Sequence, residues 1–246
     1  KKIATDELPQ SGAGKTITTT EPKFIPGEAV KVTFGKTTAK TRLIDCVGFM
    51  VDGAIGHEEN GEPRMVQTPW QSEPLPFEKA AELGTDKVIS EHSTIGVVVT
   101  TDGSITEIPR ENYEKAEEMT VAKLKNIGKP FVICLNCKAP TSKATAELKK
   151  TLEEKYGVSV VPLDVLNCGE DGFTAVMEKA LSEFPIRSAD VELPDWLCAL
   201  PSENKVVSEI IAAVKEAAAN MIKMKDAYML EDALAGVDKL IPAGVR

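Results

Sequence analysis

Between residues 96 and 184, short apolar runs alternate with longer amphipathic stretches, and that alternation leaves few architectures open. Gly96-Val97-Val98-Val99-Thr100-Thr101-Asp102-Gly103, Phe131-Val132-Ile133-Cys134-Leu135-Asn136 and Val158-Ser159-Val160-Val161-Pro162-Leu163-Asp164-Val165 read as three strands. Residues 111–127, 143–156 and 173–184 read as helices, stopped by Gly128-Lys129-Pro130, Gly157 and Pro185. The strands carry little polar alternation, so both their faces are buried. Strands of that kind separated by helices specify an α/β fold, with a mainly parallel sheet flanked by helices.

Upstream, Ala29–Phe34, Gly35–Lys40 and Thr41–Asp45 read as a strand, a turn and a strand, so that the first pair is antiparallel. Residues 49–77 are interrupted by Gly53, Gly56, Gly61, Pro63, Pro69, Pro74 and Pro76 and read as one long irregular loop. A loop of that length inside a domain is usually functional or mobile. Residues 78–91 read as a helix. Beyond Pro185 the style changes. Val191–Leu197 is a connector, and Val207, Ile210, Ile211, Val214, Ala218, Met221 and Ile222 mark one face of a long helix over 203–225. The expected division is an α/β domain over 1–187 and a helical region over 188–246.

Composition narrows the function. A net charge of −9 and a pI near 5.0 disfavour a nucleic-acid partner, which requires a basic footprint. No apolar run approaches the length of a membrane span, and the first residues lack the apolar core of a signal peptide. The five cysteines read as reduced thiols of a cytosolic protein. Cys134 and Cys137 have CxxC spacing, but no second pair or histidine cluster completes a zinc site.

The chemistry gathers at predicted strand ends, where open α/β sheets hold ligands. Arg42-Leu43-Ile44-Asp45-Cys46-Val47-Gly48 ends an apolar run in an acid, with a glycine three residues later. Asp45 can hold a Mg2+ ion through water, and Gly48 can offer its N–H to a terminal phosphate. Thr18, Thr19 and Thr20 supply hydroxyls in an extended segment suited to sensing that phosphate. Ser11-Gly12-Ala13-Gly14-Lys15-Thr16 mimics a phosphate-binding loop, but Pro9 stands where its first glycine belongs. No buried strand precedes that segment, and the β-branched Ile17-Thr18-Thr19-Thr20 beyond it is poor helix material. Asn136-Cys137-Lys138-Ala139 occupies a base-reading position, where Asn136 and Lys138 are candidate nucleotide contacts. The acid that a guanine-reading loop carries at its fourth place is absent, since that place is Ala139.

Several stretches resemble the stage IV sporulation protein A family of endospore-forming bacteria. They include Asp6–Thr16 with Thr19–Phe24, Asp45-Cys46-Val47-Gly48, Asn60–Met65, Thr68-Pro69-Trp70, Glu91–Gly103, Gly128–Phe131 and Glu183-Phe184-Pro185. The resemblance implies a P-loop NTPase-like fold of the GTPase type, with residues 1–187 as a nucleotide-binding domain, residues 188–246 as the start of a helical middle domain, and ATP and Mg2+ as cofactors. It implies ATP hydrolysis coupled to self-polymerisation into the basement layer of the spore coat, on the mother-cell face of the forespore. It implies recruitment by a small amphipathic membrane-bound protein, and contacts with other coat proteins, through regions mostly outside this chain. Carried over by position, Asp45 is the acid that holds Mg2+ through water, and Thr19 and Thr20 are the catalytic, nucleotide-sensing threonines. By the same resemblance the family's phosphate loop precedes Asp6 and its C-terminal region lies beyond this chain. The expectation is therefore a fragment that does not turn over ATP efficiently by itself. The competing expectation is a structural scaffold with a degenerate, non-hydrolysing NTPase fold.

Overall fold

The computed structural model describes residues 23–34, 37–68, 70–238 and 240–244. The chain divides into two compact units, Lys1–Ala180 and Leu181–Arg246.

The centre of the first unit is a three-stranded parallel sheet in the order β7-β8-β9, from Gly96–Thr101, Phe131–Asn136 and Val160–Leu163. The helices that connect and succeed these strands are α2 (Glu111–Asn126), α3 (Lys143–Tyr156) and α4 (Gly169–Ser182). Side-chain alternation sorts the residues onto two faces. On one face Val98, Phe131, Ile133, Leu135 and Val160 pack with Val121 and Leu124 of α2 and Leu152 and Tyr156 of α3. On the other, Val132 and Cys134 pack with Val176 and Ala180 of α4. This is the doubly covered α/β sheet the apolar runs specify.

The cover is incomplete at one edge. Val97 and Val99 lie on the α4 side of β7 and are 39% and 65% exposed. Among the described residues β7 has no neighbour on its outer edge.

Upstream, β1 (Lys23–Phe34) and β2 (Thr37–Asp45) form a separate antiparallel pair; Thr37–Lys40, expected in the turn, belong to β2, because they pair with Lys31–Phe34. The stretch expected to be an irregular loop holds two small hairpins. The first joins β3 (Glu58–Glu59) to β4 (Glu62–Pro63), and the second joins β5 (Met65–Thr68) to β6 (Gln71–Pro76). The glycines and prolines that read as loop signals sit in and around these turns. Asn60-Gly61 makes the first with positive φ at both residues, the pairing such turns favour. Helix α1 (Phe77–Lys87) comes next and widens into a π-helical turn over Val88–His92. The Lys129 ammonium closes that turn by donating to the carbonyls of Ile89 and Ser93.

One buried acid ties the sheet to its helices. The Glu117 carboxylate in α2, 1% exposed, pairs with Arg110 at 2.8 Å and accepts from the Tyr156 hydroxyl of α3 at 2.8 Å. Arg110 also donates to Thr100 of β7 at 3.2 Å.

In the second unit, α5 (Asp195–Cys198), α6 (Lys205–Asn220) and α7 (Tyr228–Ala235) enclose a core of Leu197, Ile210 and Val237. The long helix expected over 203–225 stops at Asn220. Residues 222–224 instead pair with 184–186: Ile186 N–H donates to Ile222 O at 2.9 Å, and Met224 N–H to Phe184 O at 2.8 Å. Lys223 and Lys225 both reach the fully buried carboxylate of Glu183, at 2.7 and 3.0 Å. A buried acid satisfied by two ammonium groups outweighs the few tenths of a kcal/mol per residue that helix propensity offers.

Replacing Glu117 by Ala strands a half-buried guanidinium and a phenol. The expected loss is roughly 3–5 kcal/mol of unfolding free energy, read from urea denaturation, with Glu117→Gln losing less.

Candidate functional site

The sheet brings three strand tips to one edge, and hydrogen bonds join them. Asp102, just past β7, accepts from Ser104 N–H at 2.9 Å and from its hydroxyl at 2.5 Å. The same Ser104 Oγ accepts from the Lys138 N–H at 3.0 Å, linking the β7 tip to the β8 tip. Asn136 Oδ1 accepts from Val165 N–H at 3.2 Å, and Cys137 N–H donates to Leu163 O at 2.9 Å, linking β8 to β9. Gly103 is required in this edge: its φ is +87°, and a Cβ there would lie 3.0 Å from the Arg110 nitrogen.

Asn136 and Lys138 therefore stand together, as the sequence places them. The Asn136 carbonyl is held by a backbone donor, while the Lys138 side chain is exposed and makes no ion pair with a described residue. Val165 and Leu166, 44% and 89% exposed, add an apolar surface beside Asn136.

Asp45 ends β2 with an exposed side chain. Its carboxylate makes no ion pair with a described residue. Gly48 has φ +81°, and its N–H donates at 3.1 Å to Thr85 Oγ1 of α1, a residue 2% exposed. The Cys46 thiol is packed against this contact: burial, the dominant influence, pushes its pKa up. Further along, Asn112 of α2 donates to Asp52 O at 2.8 Å, and the Lys123 ammonium lies 5.1 Å from the Phe49 ring. The turn after β2 is thus anchored to α1, and the segment next to it to α2. Thr19 and Thr20 lie outside the described residues.

The donor set fits Mg2+ in one way only. No group of three or more histidine, cysteine or acidic side chains able to hold a metal exists among the described residues. A single accessible carboxylate suits an ion that keeps most of its waters and takes its other ligands from nucleotide phosphates. The CxxC thiols do not offer an alternative. Burial first, then the neighbouring Cys168 and Cys137, raise Cys134 to about 11, so it is a poor thiolate.

Sequence reading missed Thr85 and Ser104. Both are ordinary hydroxyl residues far from Gly48 and Lys138 in the chain, and no local pattern marks the bonds they make.

Comparison with known proteins places these observations. The chain matches the family described as "Stage IV sporulation protein A, ATPase domain" over residues 1–185. It is 45% identical over 236 residues to stage IV sporulation protein A of Clostridioides difficile (strain 630), covering 96% of this chain and 48% of that protein. It is 46% identical over 227 residues to the protein of that name from Bacillus anthracis, covering 92% of this chain and 46% of the relative. The Bacillus subtilis (strain 168) protein is 45% identical over 224 residues, covering 91% of this chain and 46% of its own length. The chain spans about half the length of the curated relatives it matches. No solved structure matches.

Tyr156 gives a pH test of the core beside this site. Burial and its bond to Glu117 push the phenol up to about 12. A value above the ordinary one near 10 means the folded chain holds the proton more tightly. The associated stability is therefore intact below pH 10 and lost as pH rises toward 12. Absorbance at 295 nm is expected to show one of the three tyrosines ionising late in native protein and normally in urea.

Proposed function

The chain belongs to the stage IV sporulation protein A family, and from that premise we propose that it forms most of a Mg2+-dependent ATPase domain acting in sporulation. Hydrolysis drives a conformational change that permits assembly into a homopolymer, the basement layer of the spore coat. The observation that carries this reading is the Asp45–Gly48 turn. It offers an exposed carboxylate at a strand tip, with Gly48 braced on α1, which can pass a change at the phosphate to the rest of the domain.

Asp45 holds the Mg2+ hydration shell, and the ion neutralises charge between the β- and γ-phosphates when bound. Thr19 and Thr20 approach the γ-phosphate. Asn136 and Lys138 contact the base, and Ala139 removes the usual reason to prefer guanine. The bare edge of β7, with Val97 and Val99 uncovered, suits an added parallel strand and helix from elsewhere in the full polypeptide, bringing the phosphate cradle with it. Among the described residues no helix is long and apolar enough to cross a membrane. Placement on the mother-cell face of the forespore is then peripheral, through a small amphipathic membrane-bound recruiter. That contact, and those with other coat proteins, use regions mostly outside this chain.

In the full-length protein Asp45→Ala is expected to reduce Mg2+-dependent ATP turnover by roughly 10–100-fold, as for other supports of a metal's outer shell, while leaving the melting temperature near wild type. Turnover at the wild-type rate would overturn the assignment and favour a non-hydrolysing scaffold.

A further inference from the structure

The Gly48 amide is already committed. Its N–H donates to Thr85 Oγ1 at 3.1 Å, and Thr85 is 2% exposed, so water does not compete for that hydroxyl. A backbone amide carries a single hydrogen, so an acceptor arriving from the nucleotide must displace the one it has. We propose that Thr85 is a positioning residue: a latch that competes with the γ-phosphate for the Gly48 N–H and so couples nucleotide state to helix α1. This rests on the ATPase reading above and adds the residue through which the phosphate signal leaves the turn.

The surroundings favour a two-position element. Gly48 has φ +81°, a conformation glycine adopts without strain, and no atom lies within 4 Å of the place a Cβ would occupy. Thr85 lies in α1 three residues before Val88, where the helix widens into its π-helical turn. The Cys46 sulfur lies against both Gly48 and Thr85 in the same small cluster.

That competition fixes the sign of the effect. ATP binding through Gly48 must break the latch, which subtracts from ATP affinity. ADP has no γ-phosphate and leaves the latch closed. Removing the hydroxyl therefore tightens ATP and leaves ADP unchanged.

The test uses full-length protein with Mg2+, titrating ATP analogues resistant to hydrolysis and ADP by calorimetry. Thr85→Val keeps the side-chain shape and is expected to raise the ATP-analogue:ADP affinity ratio by roughly three- to tenfold, the worth of one neutral hydrogen bond. Thr85→Ser retains a hydroxyl and is expected to keep the wild-type ratio. Thr85→Ala, should the valine variant fold poorly, is expected to shift the ratio in the same direction. Because the readout is a ratio on one protein, a partial loss of folded material does not move it. A Thr85→Val ratio at or below wild type overturns the latch while leaving the ATPase reading intact. A wild-type protein that binds neither nucleotide overturns both.

Discussion

A carboxylate taken out of water sets the terms for the first unit. Glu117 is closed off among α2, α3 and the sheet, where an unpaired charge would cost several kcal/mol. It is tolerated because Arg110 and Tyr156 converge on it, and Arg110 carries the connection on to Thr100 at the tip of β7. The sheet edge is held at fixed height against both covering helices. The joins from Asp102 to Ser104 to Lys138, and from Asn136 to Val165, rest on that frame.

The parallel half of the first unit was readable because its signals are local. β8 runs over Phe131–Asn136 and α3 over Lys143–Tyr156, as read. The helix is opened by Ser142, whose hydroxyl accepts from Thr145 N–H, and closed by Gly157 at φ +67°. Elsewhere the deciding interactions lie far apart in sequence. The hairpins within 58–76 were hidden because glycine and proline mark turns and loops alike, and only partner strands separate the two. The helix over 205–220 is shorter than its apolar face suggests because Glu183, some 40 residues before Lys223, claims the lysines beyond its end.

The site was legible in type and not in wiring. Acid, glycine, asparagine and lysine at strand ends can be picked out from pattern alone, and the fold does bring Asn136 and Lys138 to one edge. Nothing in the pattern says that the Gly48 amide has a rival acceptor 37 residues away. Nor does it say that Asn136 spends its carbonyl on a neighbouring loop. Both bonds join residues more than 25 positions apart, so only the folded chain reveals them.

The uncovered flank of β7 has a consequence for handling as well as for function. Among the described residues nothing pairs with the outer side of β7, and a strand edge of that kind beside bare valines is a template for any extended segment that drifts past. Left uncovered, such a surface is a hazard of synthesis and purification, where a chance pairing of edges outruns refolding.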